Sequence, residues 1–155
     1  MDRMKSLVAN WMENVTNNDT ILIVGDIGSN CSYTWKILRS LSGSKVLVVG
    51  NHDNLIEWPN EALSIFDDIQ FYIVHEDTLC IHKPQDRRLI TQPYKWCVHA
   101  HHHTVNAIKL AGDIDNYIND SCRFNCSVDL NDQSPQTLQR LMYKKACLCD
   151  EILTK

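Results

Sequence analysis

No apolar run in these 155 residues approaches the roughly 20 that a membrane-spanning helix requires. Runs such as Ile21 to Val24 and Val46 to Val49 have the length of buried strands. No leader is expected either: Met1-Asp2-Arg3-Met4-Lys5-Ser6-Leu7 has no apolar core of signal-peptide length, so a cytoplasmic setting is expected. Nor is there an excess of positive charge. With 15 basic and 19 acidic side chains the formal charge is −4, which argues against a broad electrostatic surface for nucleic acid. Phosphate substrates stay open, because bound divalent cations would reverse the local field. Internal repeats, low-complexity tracts and linkers are also absent. A single domain spanning 1–155 is expected, and 44% hydrophobic with 22% charged content suits one domain with a real core.

Cysteine is present without a pattern that dictates a fold. Seven of them (Cys31, Cys80, Cys97, Cys122, Cys126, Cys147, Cys149) are odd in number and scattered, so reduced thiols are expected. Cys122 with Cys126 and Cys147 with Cys149 form two pairs, but the gaps are not those of a zinc finger on both sides. Buried or incidental thiols are the better reading.

Helix and strand signals alternate along the chain. Met4, Leu7, Val8, Trp11 and Val15 recur at helical spacing behind Asp2, so residues 3 to 15 are expected to form an amphipathic helix. Thr20 to Val24 reads as a buried strand, Tyr33 to Leu41 as a short helix and Lys45 to Val49 as a second buried strand, which together make a βαβ unit. Glu61 to Phe66 reads as helix. The next strands are expected at Gln70 to Val74, Thr78 to Ile81, Tyr94 to Val98, Ala107 to Leu110 and Arg123 to Val128. Ser134-Pro135 is expected to open a last helix that turns Leu138, Leu141 and Met142 inward.

Four polar clusters stand at the ends of short apolar runs: Gly25-Asp26-Ile27-Gly28, Gly50-Asn51-His52-Asp53, Ile81-His82-Lys83-Pro84 and His99-Ala100-His101-His102-His103. Loops at the carboxyl ends of neighbouring parallel strands face one crevice, so aspartate, asparagine and histidine placed there can converge on metal ions and a phosphate. Glycines beside Asp26 permit a sharp turn that frees its carboxylate, although an ordinary turn is the other reading of that cluster alone. The Asn51 carbonyl can bind a divalent ion without adding charge, and His52 can donate a hydrogen bond or proton to a phosphoryl oxygen. In an extended segment His99, His101 and His103 would share a face while His102 points away. His75, beside Glu76 and Asp77, reads as a surface histidine. Lys83, Arg87 and Arg88 form a basic stretch beside His82, and Arg87 is the candidate for steering a substrate phosphate, with solvated loop charge as the alternative. Trp11, Trp35, Trp58 and Trp96 read as packing residues rather than base-stacking ones.

In their order along the chain, Gly25-Asp26-Ile27-Gly28, Gly50-Asn51-His52-Asp53, the strand-end His82 and the His101-x-His103 pair resemble the motifs of calcineurin-like metallophosphoesterases, the small bacterial and phage members above all. Phe124 to Pro135 is similar to the strand and turn near their carboxyl end. The resemblance implies an α/β fold, an αββα sandwich of two sheets. It implies Asp26 as bridging ligand, Asn51, His82 and His101 on one metal, His103 on the other, and His52 as the histidine that contacts the scissile phosphate. The implied reaction is hydrolysis of a phosphate mono- or diester, of nucleotide or nucleic-acid-end type, by a metal-activated hydroxide attacking in line. Mixed oxygen and imidazole ligands suit manganese first, with iron, zinc or nickel as alternatives, at one or two ions per chain.

One part of that pattern is missing. The family's first strand ends in Asp-x-His, and no Asp-x-His occurs in this sequence. The second metal loses two ligands, with turn aspartates Asp113 and Asp115 as conceivable replacements. The sheet loses a strand whose place a second copy of the chain, another protein partner, a rearranged sheet or an upstream segment would have to cover. A second departure is Ala100, where the family usually has glycine. The alternative function is therefore a catalytically degenerate relative acting as a binding or inhibitory protein.

Overall fold

The computed structural model describes residues 3–84, 94–112 and 118–153. Asp2, Arg87, Arg88, Asp113 and Asp115 lie outside the described residues. Helix α1 (Arg3–Asn14) buries Trp11, and Val15 just past its end, against Leu41, with Ile21, Ile23, Ile37 and Leu38 packed around them. The chain then alternates through β1 (Thr20–Ile23), α2 (Ser32–Ser40), β2 (Ser44–Val48), α3 (Asn60–Leu63) and β3 (Asp68–Gln70). The three strands form one parallel sheet in the order β1-β2-β3, with Leu22 opposite Val46 and Leu47 opposite Ile69. Its outer face is covered where Leu47 meets Trp35 of α2, Ala62 of α3, Trp58 and Phe66.

A second sheet follows in chain order: β4 (Tyr72–His75), β5 (Thr78–Ile81), β6 (Trp96–His99) and β7 (Arg123–Asn125). The β4–β5 pair is an antiparallel hairpin, while β5–β6 and β6–β7 run parallel. Strand alternation sends Leu22, Val24 and Val48 of the first sheet and Cys80, Val98 and Phe124 of the second into one shared core, which Leu141 of α5 (Leu138–Leu153) closes. The chain is thus mixed α/β with two sheets that meet across a core. Trp11, Trp35 and Trp58 are buried, and Trp96 packs on Phe124.

Four expectations change. The run Gln70 to Val74 is not one strand: the chain breaks at the exposed Phe71, so β3 belongs to the first sheet and β4 to the second. Ala107 to Leu110 is helical, within α4 (Val105–Leu110), because the Thr104 hydroxyl accepts the Ala107 N–H at 3.0 Å and caps the turn, burying Ile108 and exposing Leu110. The strand at Arg123 stops at Asn125, and a 3-10 turn (Val128–Leu130) follows. The last helix begins at Leu138 rather than Ser134, since the Gln136 side chain donates to the Asn131 and Ser134 carbonyls and holds that stretch as a turn. Met142 then faces solvent while Leu141 faces the core.

Strand β1 is the outermost of its sheet, and Ile21, Leu22 and Ile23 are only half-buried rather than fully so. Helix α1 spans this side of the molecule. It packs on Ile21 and Ile23, and Asn10 Nδ2 donates to the Asp132 and Gln133 carbonyls at 3.0 and 3.1 Å in the turn after β7. It therefore ties the outer strand of one sheet to the outer strand of the other. Trp11→Ala, which empties this contact and frees the Ser42 carbonyl that Trp11 Nε1 bonds at 3.0 Å, is expected to cost about 3–5 kcal/mol in urea unfolding.

His99 is completely buried in β6, and Arg123 Nε donates to its Nε2 at 3.4 Å. Burial first, then the charges of Arg123 and neighbouring His102 and Lys145, hold its pKa well below the ordinary 6.5. Above 6.5 both folded and unfolded forms are neutral and stability is undiminished. Below it the unfolded chain takes up a proton that the folded chain refuses, so stability falls by up to about 1.4 kcal/mol per pH unit. Urea unfolding between pH 6.5 and 5 should show a slope shallower by about that amount in His99→Gln than in the parent; an equal slope would refute the assignment.

Candidate metal centre

Each ligand-bearing loop is shaped by a neighbour it must avoid or hold. Gly25 and Asp26 both take left-handed backbone angles (φ 78° and 55°), and a Cβ on Gly25 would lie 2.5 Å from His82 Nδ1. A Cβ on Gly50 would strike Asp26 itself. Glycine at both positions lets the two loops touch. The carboxylate of Asp53 then locks them: it accepts the N–H of Gly50 at 2.8 Å, of Asp26 at 2.8 Å and of Ile27 at 3.0 Å. The buried Asp53 is thereby the support that keeps a non-glycine residue, Asp26, in a strained conformation.

The second sheet supplies the histidines. Beyond the β5–β6 ladder the His101 N–H donates to the His82 carbonyl at 3.2 Å, which places the two rings edge to face at 5.1 Å. Ala100, the departure from glycine, packs its methyl into the shared core. Asn125 Nδ2 donates to the His102 carbonyl at 2.7 Å, and Asn131 Nδ2 donates to the Asn125 and Ser127 carbonyls at 3.0 and 2.8 Å. These two buried asparagines pin the turn after β7 to the histidine loop.

Four side chains converge. Around His82 Nε2 stand Asn51 Oδ1 at 3.1 Å, Asp26 Oδ2 at 3.2 Å and His101 Nδ1 at 3.2 Å. Asp26, His82 and His101 each place a ligand atom within 4.8 Å of the others, the one such group among the described residues. His82 Nδ1 donates to the Val24 carbonyl at 2.8 Å, which turns Nε2 toward the cluster. Asp26 Oδ2 and Asn51 Oδ1 have no proton to offer it. A cation among them would satisfy all four groups at once. His101 is suited to that role, because partial burial first, then His82, His102 and Lys83, lower its pKa to about 4 against the opposing pull of Asp26. It is a neutral imidazole at pH 7. The donor set fits a divalent ion of the manganese, iron or zinc kind.

His52 adjoins the cluster: its backbone N–H donates to Asp26 Oδ1 at 2.9 Å, and its side chain is exposed. His103 stands apart, half-exposed, with Nδ1 at 3.4 Å from Ser127 Oγ and 3.5 Å from Asp129 Oδ2. His99 does not share its face, because the strand ends there and the ring packs inside at 6.3 Å from that of the buried His102. His75 is exposed. Arg87 lies outside the described residues. Asp53, Asn125 and Asn131 were not singled out from the sequence; Asp53 stood inside a quoted motif, but its bonds reach loops that only the fold brings near.

No protein-family model matches this chain, and no curated protein is similar to it. Its structure is similar to the crystal structure of the protein of unknown function AQ665 from Aquifex aeolicus, with a TM-score of 0.63, 21% identity, and coverage of 86% of this chain and 80% of that one. At that identity the likeness concerns the fold.

Asp53→Asn presents a donor where three N–H groups need acceptors. A loss of about 2–4 kcal/mol in thermal or urea unfolding is expected, together with loss of manganese binding; unchanged stability would remove Asp53 from its role as the clamp.

Proposed function

We propose that this chain is a metal-dependent hydrolase of phosphate mono- or diesters, of the αββα metallophosphoesterase type and working in the cytoplasm on a nucleotide or a nucleic-acid end. The observation that carries it is the meeting of Asp26, Asn51, His82 and His101 around one point, with His52 next to Asp26. Asp26 and Asn51 come from the carboxyl ends of the first sheet's strands and His82 and His101 from those of the second, so the site opens where both sheets end.

Asp26, Asn51, His82 and His101 would hold a manganese ion, with iron, zinc or nickel as alternatives. When bound, the ion supplies positive charge for the phosphoryl oxygens and an acidified water as nucleophile. Asp26 would do two things at once: Oδ2 would help hold the ion, while Oδ1 accepts the His52 backbone N–H and keeps that residue beside the cluster. From there the His52 imidazole hydrogen-bonds a phosphoryl or leaving oxygen and gives it a proton. Asn51 adds an uncharged oxygen, which leaves the site net positive toward an anionic substrate.

A catalytically degenerate relative that binds rather than turns over is the second reading. The position of His103, turned to Ser127 and Asp129 and not to the cluster, favours it.

Manganese-dependent hydrolysis of bis-p-nitrophenyl phosphate and p-nitrophenyl phosphate separates the two. His52→Ala should keep its ion and lose about 100-fold or more in kcat/KM, whereas Asp26→Ala should lose ion and activity together. An inactive parent with ion bound would favour the binding protein.

A further inference from the structure

We infer that strand β4 is the docking edge for a second copy of this chain, the two β4 strands pairing antiparallel about a two-fold axis so that one sheet runs through both molecules. This pairing needs no ion and does not rest on the metal-dependent reading.

A strand at the border of a sheet presents unpaired N–H and C=O groups, and proteins guard such borders with charge, proline, a bulge or a covering segment. The two sheets have four border strands, β1, β3, β4 and β7. Helix α1 spans the β1 side and packs on Ile21 and Ile23. At β7 the Arg123 carbonyl accepts from Lys145 Nζ at 2.9 Å and the Asn125 carbonyl from Asn131 Nδ2 at 3.0 Å. Strand β3 carries the exposed carboxylate of Asp68. Strand β4 has none of these protections. From Phe71 to His75 there is no proline, lysine or carboxylate. Its pairing with β5 is unbroken from Tyr72 opposite Ile81 to His75 opposite Thr78, and no strand among the described residues lies on its other side. Phe71 is 76% and Tyr72 43% exposed, and Ile73 and Val74 are only half-buried. Uncovered apolar surface and an unguarded backbone edge therefore coincide.

The same strand decides what fits it. His75 and Thr78 flank a two-residue turn and form its closing pair, so alternation directs the N–H and C=O of Ile73 and His75 to β5 and those of Tyr72 and Val74 outward. Outward groups must meet outward groups. Tyr72 opposite Val74 of a second copy satisfies this on both sides of the axis, with the two Ile73 residues facing each other across it. In that register Phe71 lies opposite His75 of the second copy, and the acidic turns at Glu76 and Asp77 are held at opposite ends of the ribbon. A shift of two residues would set Tyr72 against Glu76, and parallel pairing would set each carboxylate beside its twin. The edge is thus complementary to itself in backbone and in charge.

The test is sedimentation velocity of the full chain over a dilution series, in reductant so that the exposed Cys31 and Cys147 do not link copies. The parent should sediment as a dimer when concentrated and dissociate on dilution. Phe71→Lys and Tyr72→Lys, both at exposed positions, should each weaken the dimer by roughly 10-fold or more and leave the unfolding midpoint of the dilute monomer unchanged. Tyr33→Lys, which places the same charge at a 65% exposed aromatic of α2, should leave the dimer intact. Amide hydrogen exchange locates the contact: the Tyr72 and Val74 N–H groups should exchange more slowly as the parent is concentrated. A parent that is monomeric throughout, a dimer indifferent to both β4-edge lysines, or exchange at Tyr72 and Val74 indifferent to concentration overturns the inference.

Discussion

The Asp53 carboxylate is the constraint on which the rest of the site depends. It gathers three backbone N–H groups from two loops into two oxygens, and neither loop would keep its shape alone. Asp26 sits in the left-handed region without being glycine, which costs on the order of 1 kcal/mol or more and persists only where surroundings over-determine it. A charged acceptor at 2.8 Å from its N–H does so. The glycines at 25 and 50 are the steric counterpart of the same arrangement, since the close approach that Asp53 enforces leaves no room for a Cβ. Backbone strain, glycine placement and the direction of the Asp26 carboxylate are one interaction seen from three sides.

The two sheets meet the same requirement by different means. In the first, parallel βα units put loop ends side by side, and a carboxylate clamps them. In the second, His82 and His101 are joined by an extension of the strand ladder, and buried Asn125 and Asn131 fasten the loop beyond. The shared core of Leu22, Val24, Val48, Cys80, Val98 and Phe124 sets the distance between these halves. A change of volume there would move Asp26 relative to His82, so packing far from the polar cluster governs its geometry.

What was legible in the sequence was local. Asp26, Asn51, His82 and His101 each follow an apolar run, and short apolar runs ending in a polar turn announce strand ends whatever the topology. The β1–α2–β2 unit was legible for the same reason. What failed depended on neighbours. Gln70 to Val74 has the composition of one strand, yet the chain changes sheets at Phe71. Ala107 to Leu110 alternates like a strand, yet one hydroxyl at Thr104 decides for helix. His99 has the same ring as His101 two residues on, but β6 ends between them, so one ring turns into the core and the other into the cluster. Asp53 was invisible as a clamp because its partners at 26 and 27 are 27 and 26 positions away.

The cluster also couples the site to the fold. Asp26 Oδ2, Asn51 Oδ1 and His101 Nδ1 each stand within 3.1–3.2 Å of His82 Nε2, and the backbone contacts just described bring their loops together. Two of them are acceptors only, and the His82 Nδ1–H already donates to the Val24 carbonyl. Acceptors pressed together in a low-dielectric site are a destabilising element that the surrounding clamps must offset. A cation reverses the sign of that term. Because two ligands come from each sheet, whatever ion occupies the point cross-links the sheets, and its binding free energy adds to folding. The core that sets the ligand distances and the ion that the ligands would hold therefore support each other.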